Sequence, residues 1–235
     1  MPFLWDEDRI RWFLAASDYT GYHRALAGHL RPWLRPEDTL ADLACGLGLL
    51  ALELAPDVHR VEAVDRDVRV IEQLSARAAA RGIENLHAKA APFEAAGCCD
   101  VALISFFGFP AVAHGRKIAR RQVIWLVDAG TGGQLYPRRY RKPKPIEQAQ
   151  VIERLQAEGI PYTHDEWTLE FGQPFAHRAE AASFVRGHAP EAGDGEIADF
   201  LAHHLIPTGR TDFPLYLPNP KRVGTFFIEP AGRLP

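Results

Sequence analysis

Two segments, DVALISFF (100–107) and QVIWLVDAG (122–130), carry almost no polar residues over the length of a strand. A sheet with one wet face alternates apolar and polar residues. Runs like these instead need apolar cover on both faces, as in the central strands of a parallel sheet between helical layers. The surrounding pattern agrees. Strand-like TLADLA (39–44), RVEAVD (60–65) and a weaker stretch at 85–89 alternate with helical stretches at 48–55, at 67–82 ending on Gly82, and around 115–120. This alternation predicts right-handed βαβ units wound into an open, mostly parallel sheet.

Two helices with apolar faces, 5–16 and 19–34, precede the first strand, and the rhythm changes beyond residue 130. The prolines of LYPRRYRKPKP (135–145) read as a loop and 146–159 as a helix closed by Gly159. TLEF (168–171) and RVGTFFIEP (222–230) read as late strands, with amphipathic helices between them. One domain is expected: N-terminal lid helices over 1–36, a ligand-binding core over 37–134, and a helical insertion over 173–214. With 47% hydrophobic and 24% charged residues, the composition is that of a globular chain with a full core. A net charge of −3 argues against a generally nucleic-acid-binding surface. The acidic start MPFLWDEDRIRW lacks the apolar core of a signal peptide, no run is long enough to span a bilayer, and three cysteines form no disulfide framework. A cytoplasmic location is expected.

DLACGLGLL (42–50) closes the first strand and opens the first crossover helix, the place where open α/β sheets bind ligands. Gly46 and Gly48 permit unusual backbone angles and close approach by a ligand, and the helix start offers free N–H groups. Nineteen residues past Gly46, Asp65 ends the second strand, where a carboxylate accepts ribose hydroxyls. The bland alternative is a capping turn and a surface aspartate. GLGLLA also fits the loose glycine pattern of dinucleotide enzymes.

The run D-x-A-x-G-x-G, with Asp42 ahead of the glycines and two helices ahead of the strand, resembles the first motif of the class I S-adenosylmethionine-dependent methyltransferases. In that family an acidic residue is followed by three alternate glycines. The resemblance spans roughly 38–130 by motif and implies a Rossmann-like fold of seven strands and S-adenosyl-L-methionine as cofactor. It assigns Ala44, Cys45 and Gly46 to the methionine and ribose portions, Asp65 to the ribose hydroxyls and Arg66 to the flank of the adenine. Pro92 and Phe93 stand where the family often has an acidic residue for the adenine amino group. Ala44 replaces the first glycine, with a methyl group as the smallest addition. Ser105, Phe106 and Phe107 fall where cofactor methyl and acceptor meet, and the [N/D]PP[Y/F] motif of many amino-methyltransferases is absent there. Tyr19, Tyr22 and His23, on the helices before the motif, are candidates for the methionine carboxylate or the acceptor. Tyr22 and His23 are also the weak candidates for catalysis, since methyl transfer needs alignment more than a base.

The resemblance therefore implies an S-adenosylmethionine-dependent methyltransferase and does not name the acceptor; a small molecule is the preferred one, with Phe106 and Phe107, and Phe175 and His177 of the insertion, as the candidate substrate residues. An RNA or protein methyltransferase, a non-catalytic cofactor-binding scaffold or regulatory subunit, and an NAD-dependent oxidoreductase are the alternatives. Nucleic acid is not the favoured partner, although Arg116 to Lys144 holds nine basic residues against the single acid Asp128. Tyr140 and Lys144 have dehydrogenase spacing, but Pro143 and Pro145 preclude the helix they would share. The histidines at 177, 188, 203 and 204 do not form a metal pattern.

Overall fold

The computed structural model describes residues 5–131, 133–141 and 146–232. The chain runs α1 (Glu7–Thr20), α2 (Tyr22–Leu30), β1 (Thr39–Leu43), α3 (Leu49–Leu54), β2 (Arg60–Asp65), α4 (Val68–Ala80), β3 (Leu86–Ala90) and β4 (Cys99–Ser105). It continues through α5 (Phe109–Ile118), β5 (Ala119–Thr131), α6 (Gln148–Ala157), β6 (Tyr162–Glu170) and β7 (Gln173–Phe175). Then follow α7 (Arg178–His188), α8 (Asp194–His204), β8 (Ile206–Pro207), β9 (Leu215–Leu217) and β10 (Pro220–Ile228).

Seven strands form one sheet in the order β3-β2-β1-β4-β5-β10-β6, with β10 antiparallel to both its neighbours and β1 to β5 parallel. The doubly wound, mostly parallel sheet expected from the sequence is present. Its two faces bury separate cores. One packs Leu40, Val101, Leu103, Ile124 and Leu126 against α2, α3 and α4; the other packs Ala41, Leu43, Ala102, Ile104 and Trp125 against α5 and α6. Asp6 caps α1 by accepting from the Arg9 amide (2.8 Å), and Gly21 (φ 66°) ends it in a left-handed turn that sends the chain into α2.

The insertion expected over 173–214 is not only helical: besides α7 and α8 it holds β7 and β8, which join β9, just past residue 214, in a three-stranded sheet ordered β7-β9-β8. Its own core unites Phe175, Phe184, Phe200 and Leu217 with Trp12 of α1, so the insertion and the N-terminal helices are one packed body. The short helix expected around 115–120 is α5, which begins at Phe109, and β5 starts at Ala119. No helix among the described residues is long and apolar enough to cross a membrane.

Candidate functional site

The loop after β1 places Ala44 (φ 58°), Gly46 (φ 55°) and Gly48 (φ 60°) in the left-handed region, every second residue. Gly48 has a packing reason to lack a side chain, because a Cβ there would lie 2.4 Å from Leu74 Cδ2 of α4. At Gly46 a Cβ would meet only the Trp5 ring, at 3.3 Å, so the side chain of the N-terminal segment lies directly over this glycine. Ala44 corrects the expectation of a mild departure. The extra methyl is small, but it sits on a left-handed backbone that disfavours any L side chain.

Asp65 pins this loop. Its Oδ2 accepts the Gly46 amide and its Oδ1 the Asp67 amide, both at 2.9 Å, while the Cys45 amide donates to the Val64 carbonyl (3.0 Å). The half-buried carboxylate keeps a second lone pair on each oxygen for a ligand. Arg66, next to it, is exposed. Asp42 lies one strand inward and is 1% exposed, with Oδ1 unpartnered among the described residues. Burial, with Asp65 adding to it, pushes its carboxyl up to about 7. The same burial, and the same two carboxylates, hold the Cys45 thiol well above its ordinary value, so it is no nucleophile at neutral pH.

Besides Gln122 Oε1 and Thr225 Oγ1, two more unpartnered polar atoms are buried on this side of the sheet among the described residues. Ser105 Oγ, at the end of β4, belongs to the alternation that sends Val101 and Leu103 to the α2–α3–α4 side. Tyr22 Oη is the other, on a residue 1% exposed whose phenol is pushed upward by burial and then by Asp128. Asp42 Oδ1, Ser105 Oγ and Tyr22 Oη thus leave unmet hydrogen-bonding capacity on one side of the sheet, all buried. Each such atom is costly unless something fills it.

His23 Nδ1 is 2.7 Å from Ser17 Oγ, and burial followed by the Lys221 charge pushes its imidazole down to about 3. It is neutral near pH 7 but a weak base. Lys221 was missing from the candidates. Its ammonium lies 3.7 Å from the centroid of the Phe106 ring and 5.6 Å from those of Tyr22 and Phe171. Only the antiparallel pairing of β10, Lys221 with Thr131 on one side and Leu169 on the other, brings it to the rim where β1, β4 and β5 end. The local sequence PNPKRVG gives no such signal.

Other expected residues fall elsewhere. Phe175 is fully buried in the insertion core and cannot touch an acceptor, and His177 caps α7 by accepting the Glu180 amide at Nδ1 (3.1 Å). Tyr19 stacks on Tyr216 (4.9 Å) beneath Arg210 and ties α1 to the insertion. Phe93 is 7% exposed and packs edge-on to Phe107 and His114, which leaves little of its ring for an adenine, while Pro92 beside it is exposed. Among the described residues no group of His, Cys, Asp and Glu is arranged to hold a metal. The basic segment is split between the two ends of the sheet. Arg120 and Arg121 sit at the start of β5 and pair with Asp100 and Asp38, whereas Arg138, Arg139 and Arg141 follow its far end.

This is the fold of the class I methyltransferases. The YcgJ protein of Bacillus subtilis superposes with a TM-score of 0.57 at 16% identity, over 89% of this chain and 100% of that one. A putative methyltransferase of Bacillus halodurans gives 0.58 at 12% identity, over 88% and 99%. In sequence, 93 residues, 37% of the chain, are 34% identical to an uncharacterized RNA methyltransferase of Thermosynechococcus vestitus, and the match spans 21% of that protein. No family model matches.

Proposed function

We propose that the chain is an S-adenosylmethionine-dependent methyltransferase whose cofactor lies over the Gly46 loop, beneath the N-terminal segment. The observation that carries this is the set of buried, unpartnered atoms Asp42 Oδ1, Ser105 Oγ and Tyr22 Oη on one side of the sheet, together with a left-handed glycine after β1 that only the Trp5 ring covers. They suit the amino-acid end of the cofactor: an ammonium donates to Asp42 and Ser105, and a carboxylate accepts from Tyr22. Asp65 takes the ribose hydroxyls on its remaining lone pairs.

When bound, S-adenosylmethionine supplies a methyl group on a sulfonium, a leaving group that needs no protonation. What this chain contributes is alignment and exclusion of water. Asp65 and the left-handed loop fix the ribose end, and the buried trio fixes the other. Trp5, which packs edge-on to Phe13 (5.3 Å) and rests on Gly46, covers the loop. The acceptor approaches at the end of β4, past Phe106 and Phe107. The name of the Thermosynechococcus relative favours RNA over the small acceptor expected from the sequence.

The test compares S-adenosylhomocysteine with methylthioadenosine, which lacks the amino-acid end. Tyr22→Phe and Ser105→Ala should each weaken S-adenosylhomocysteine several-fold, in line with the loss of one hydrogen bond to a charged group, and leave methylthioadenosine unchanged. Equal losses for both ligands, or none, would show that these atoms do not hold the amino-acid end.

A further inference from the structure

Phe106 and Phe107 are 38% and 37% exposed at the end of β4. Phe106 is held at φ 54°, a left-handed conformation a phenylalanine adopts only where its surroundings enforce it. Its amide donates to the Leu126 carbonyl (2.8 Å), and the Lys221 ammonium lies against its ring. Phe107 is anchored through its carbonyl, which accepts from Trp125 Nε1 (2.9 Å), and through its contact with Phe93. Both residues are anchored, yet more than a third exposed.

A site for a small molecule usually encloses most of its ligand in a concave apolar pocket. Open π faces on a rim suit a larger partner that brings its own planar groups. The charges carry the same message. In the turn that follows β5 and packs on the insertion, Arg138 and Arg141 are exposed and neither forms an ion pair with a described residue, whereas Arg139 between them is held by Glu196 and Tyr140. Cations outside the reaction centre do nothing for a small acceptor. They do attract and orient a chain of phosphates.

We propose that Phe106, Phe107, Lys221, Arg138 and Arg141 form a binding surface for a single-stranded polynucleotide, with an unstacked base on the phenylalanine faces and flanking phosphates at the arginines. This rests on the methyltransferase reading, because it makes the end of β4 the acceptor side. Aromatic faces beside a basic track are the physical means by which proteins hold unpaired bases.

The test uses fluorescein-labelled RNA and DNA strands of about a dozen nucleotides and one mixed sequence, with labelled poly-glutamate as a third probe, followed by anisotropy between about 50 and 200 mM salt. The wild type should bind RNA or DNA with an affinity that falls steeply with salt, and the preferred strand names the source. Arg138→Gln with Arg141→Gln should flatten the log–log salt slope by about 1.4, two phosphates at roughly 0.7 each. Phe106→Ala with Phe107→Ala should weaken binding about fivefold or more at every salt concentration and leave the slope alone. The arginines are exposed, so their pair decides the matter even if the phenylalanine variant fails to fold. Binding that neither pair alters, no binding at the lowest salt, or equal affinity for poly-glutamate overturns the proposal. S-adenosylhomocysteine affinity is measured in parallel: its loss in the wild type defeats the cofactor reading alone, and its retention without polynucleotide binding defeats this one alone.

Discussion

Replacing Gly48 by alanine separates the two glycines of the loop more sharply than any other change. Its new Cβ would fall 2.4, 2.7 and 3.0 Å from Cδ2, Cδ1 and Cγ of Leu74, a side chain with no exposed surface. Over-packing of this kind costs about 1–3 kcal/mol. The left-handed backbone adds roughly 1–2 kcal/mol for any L side chain, and the stiffer unfolded chain returns about 0.4–1. Gly48→Ala should therefore destabilise the fold by about 2–4 kcal/mol in urea unfolding. Leu74→Ala alone should cost about 2–5 kcal/mol as a cavity, but in the double variant the new methyl enters that cavity, so the pair should cost less than the sum. At Gly46 the nearest atom is the Trp5 ring at 3.3 Å, and Gly46→Ala should cost only about 1–2 kcal/mol of stability while sharply reducing affinity for S-adenosylhomocysteine. Additive losses in the Gly48/Leu74 cycle, or a Gly46 variant that binds ligand normally, would refute this division of labour.

Asp42 makes a pH-dependent contribution. Its folded-state value of about 7 lies above its ordinary one, so the protonated form favours folding; that contribution is intact below about pH 4 and is lost as pH rises to 7. Asp42→Asn should gain stability over the wild type between those values, by an amount on the order of 4 kcal/mol at most, and a stability difference constant with pH across urea titrations would count against it. Because Trp5 rests on Gly46, S-adenosylhomocysteine should change the tryptophan emission, and Trp5→Phe should remove most of that change. An undiminished signal in the variant would place the ligand away from the N-terminal segment.

The sheet was legible because its central strands are buried on both faces, and a run such as DVALISFF has few other homes. The edge strand was legible only at TLEF: β6 spans Tyr162–Glu170, and its first residues, YTHDE, are mostly exposed and keep no apolar alternation. Strands β7, β8 and β9 hold two or three residues each, too few to show a period. Glycine spacing revealed the loop and Asp65. It did not reveal that Ala44 shares the left-handed backbone of the two glycines, because a backbone angle leaves no mark on an alanine. Lys221 was invisible for a different reason, since it reaches the rim through pairings with residues more than fifty positions away. That the insertion shares a core with the N-terminal helices was equally invisible, because Trp12 of α1 is buried among Phe175, Phe184 and Leu217, residues more than 160 positions away.

The most direct measurement of the central claim is calorimetric titration of the purified protein with S-adenosylhomocysteine and, separately, with NAD, in the wild type and in Asp65→Ala. The cofactor reading predicts one S-adenosylhomocysteine bound per chain, no heat from NAD, and a loss of about 1.5–3 kcal/mol in the variant, whose carboxylate would no longer meet the ribose or hold the Gly46 amide. Thermal melts of the same samples separate ligand loss from unfolding. Binding of NAD in place of S-adenosylhomocysteine, or a folded Asp65→Ala protein with wild-type affinity, would contradict the account.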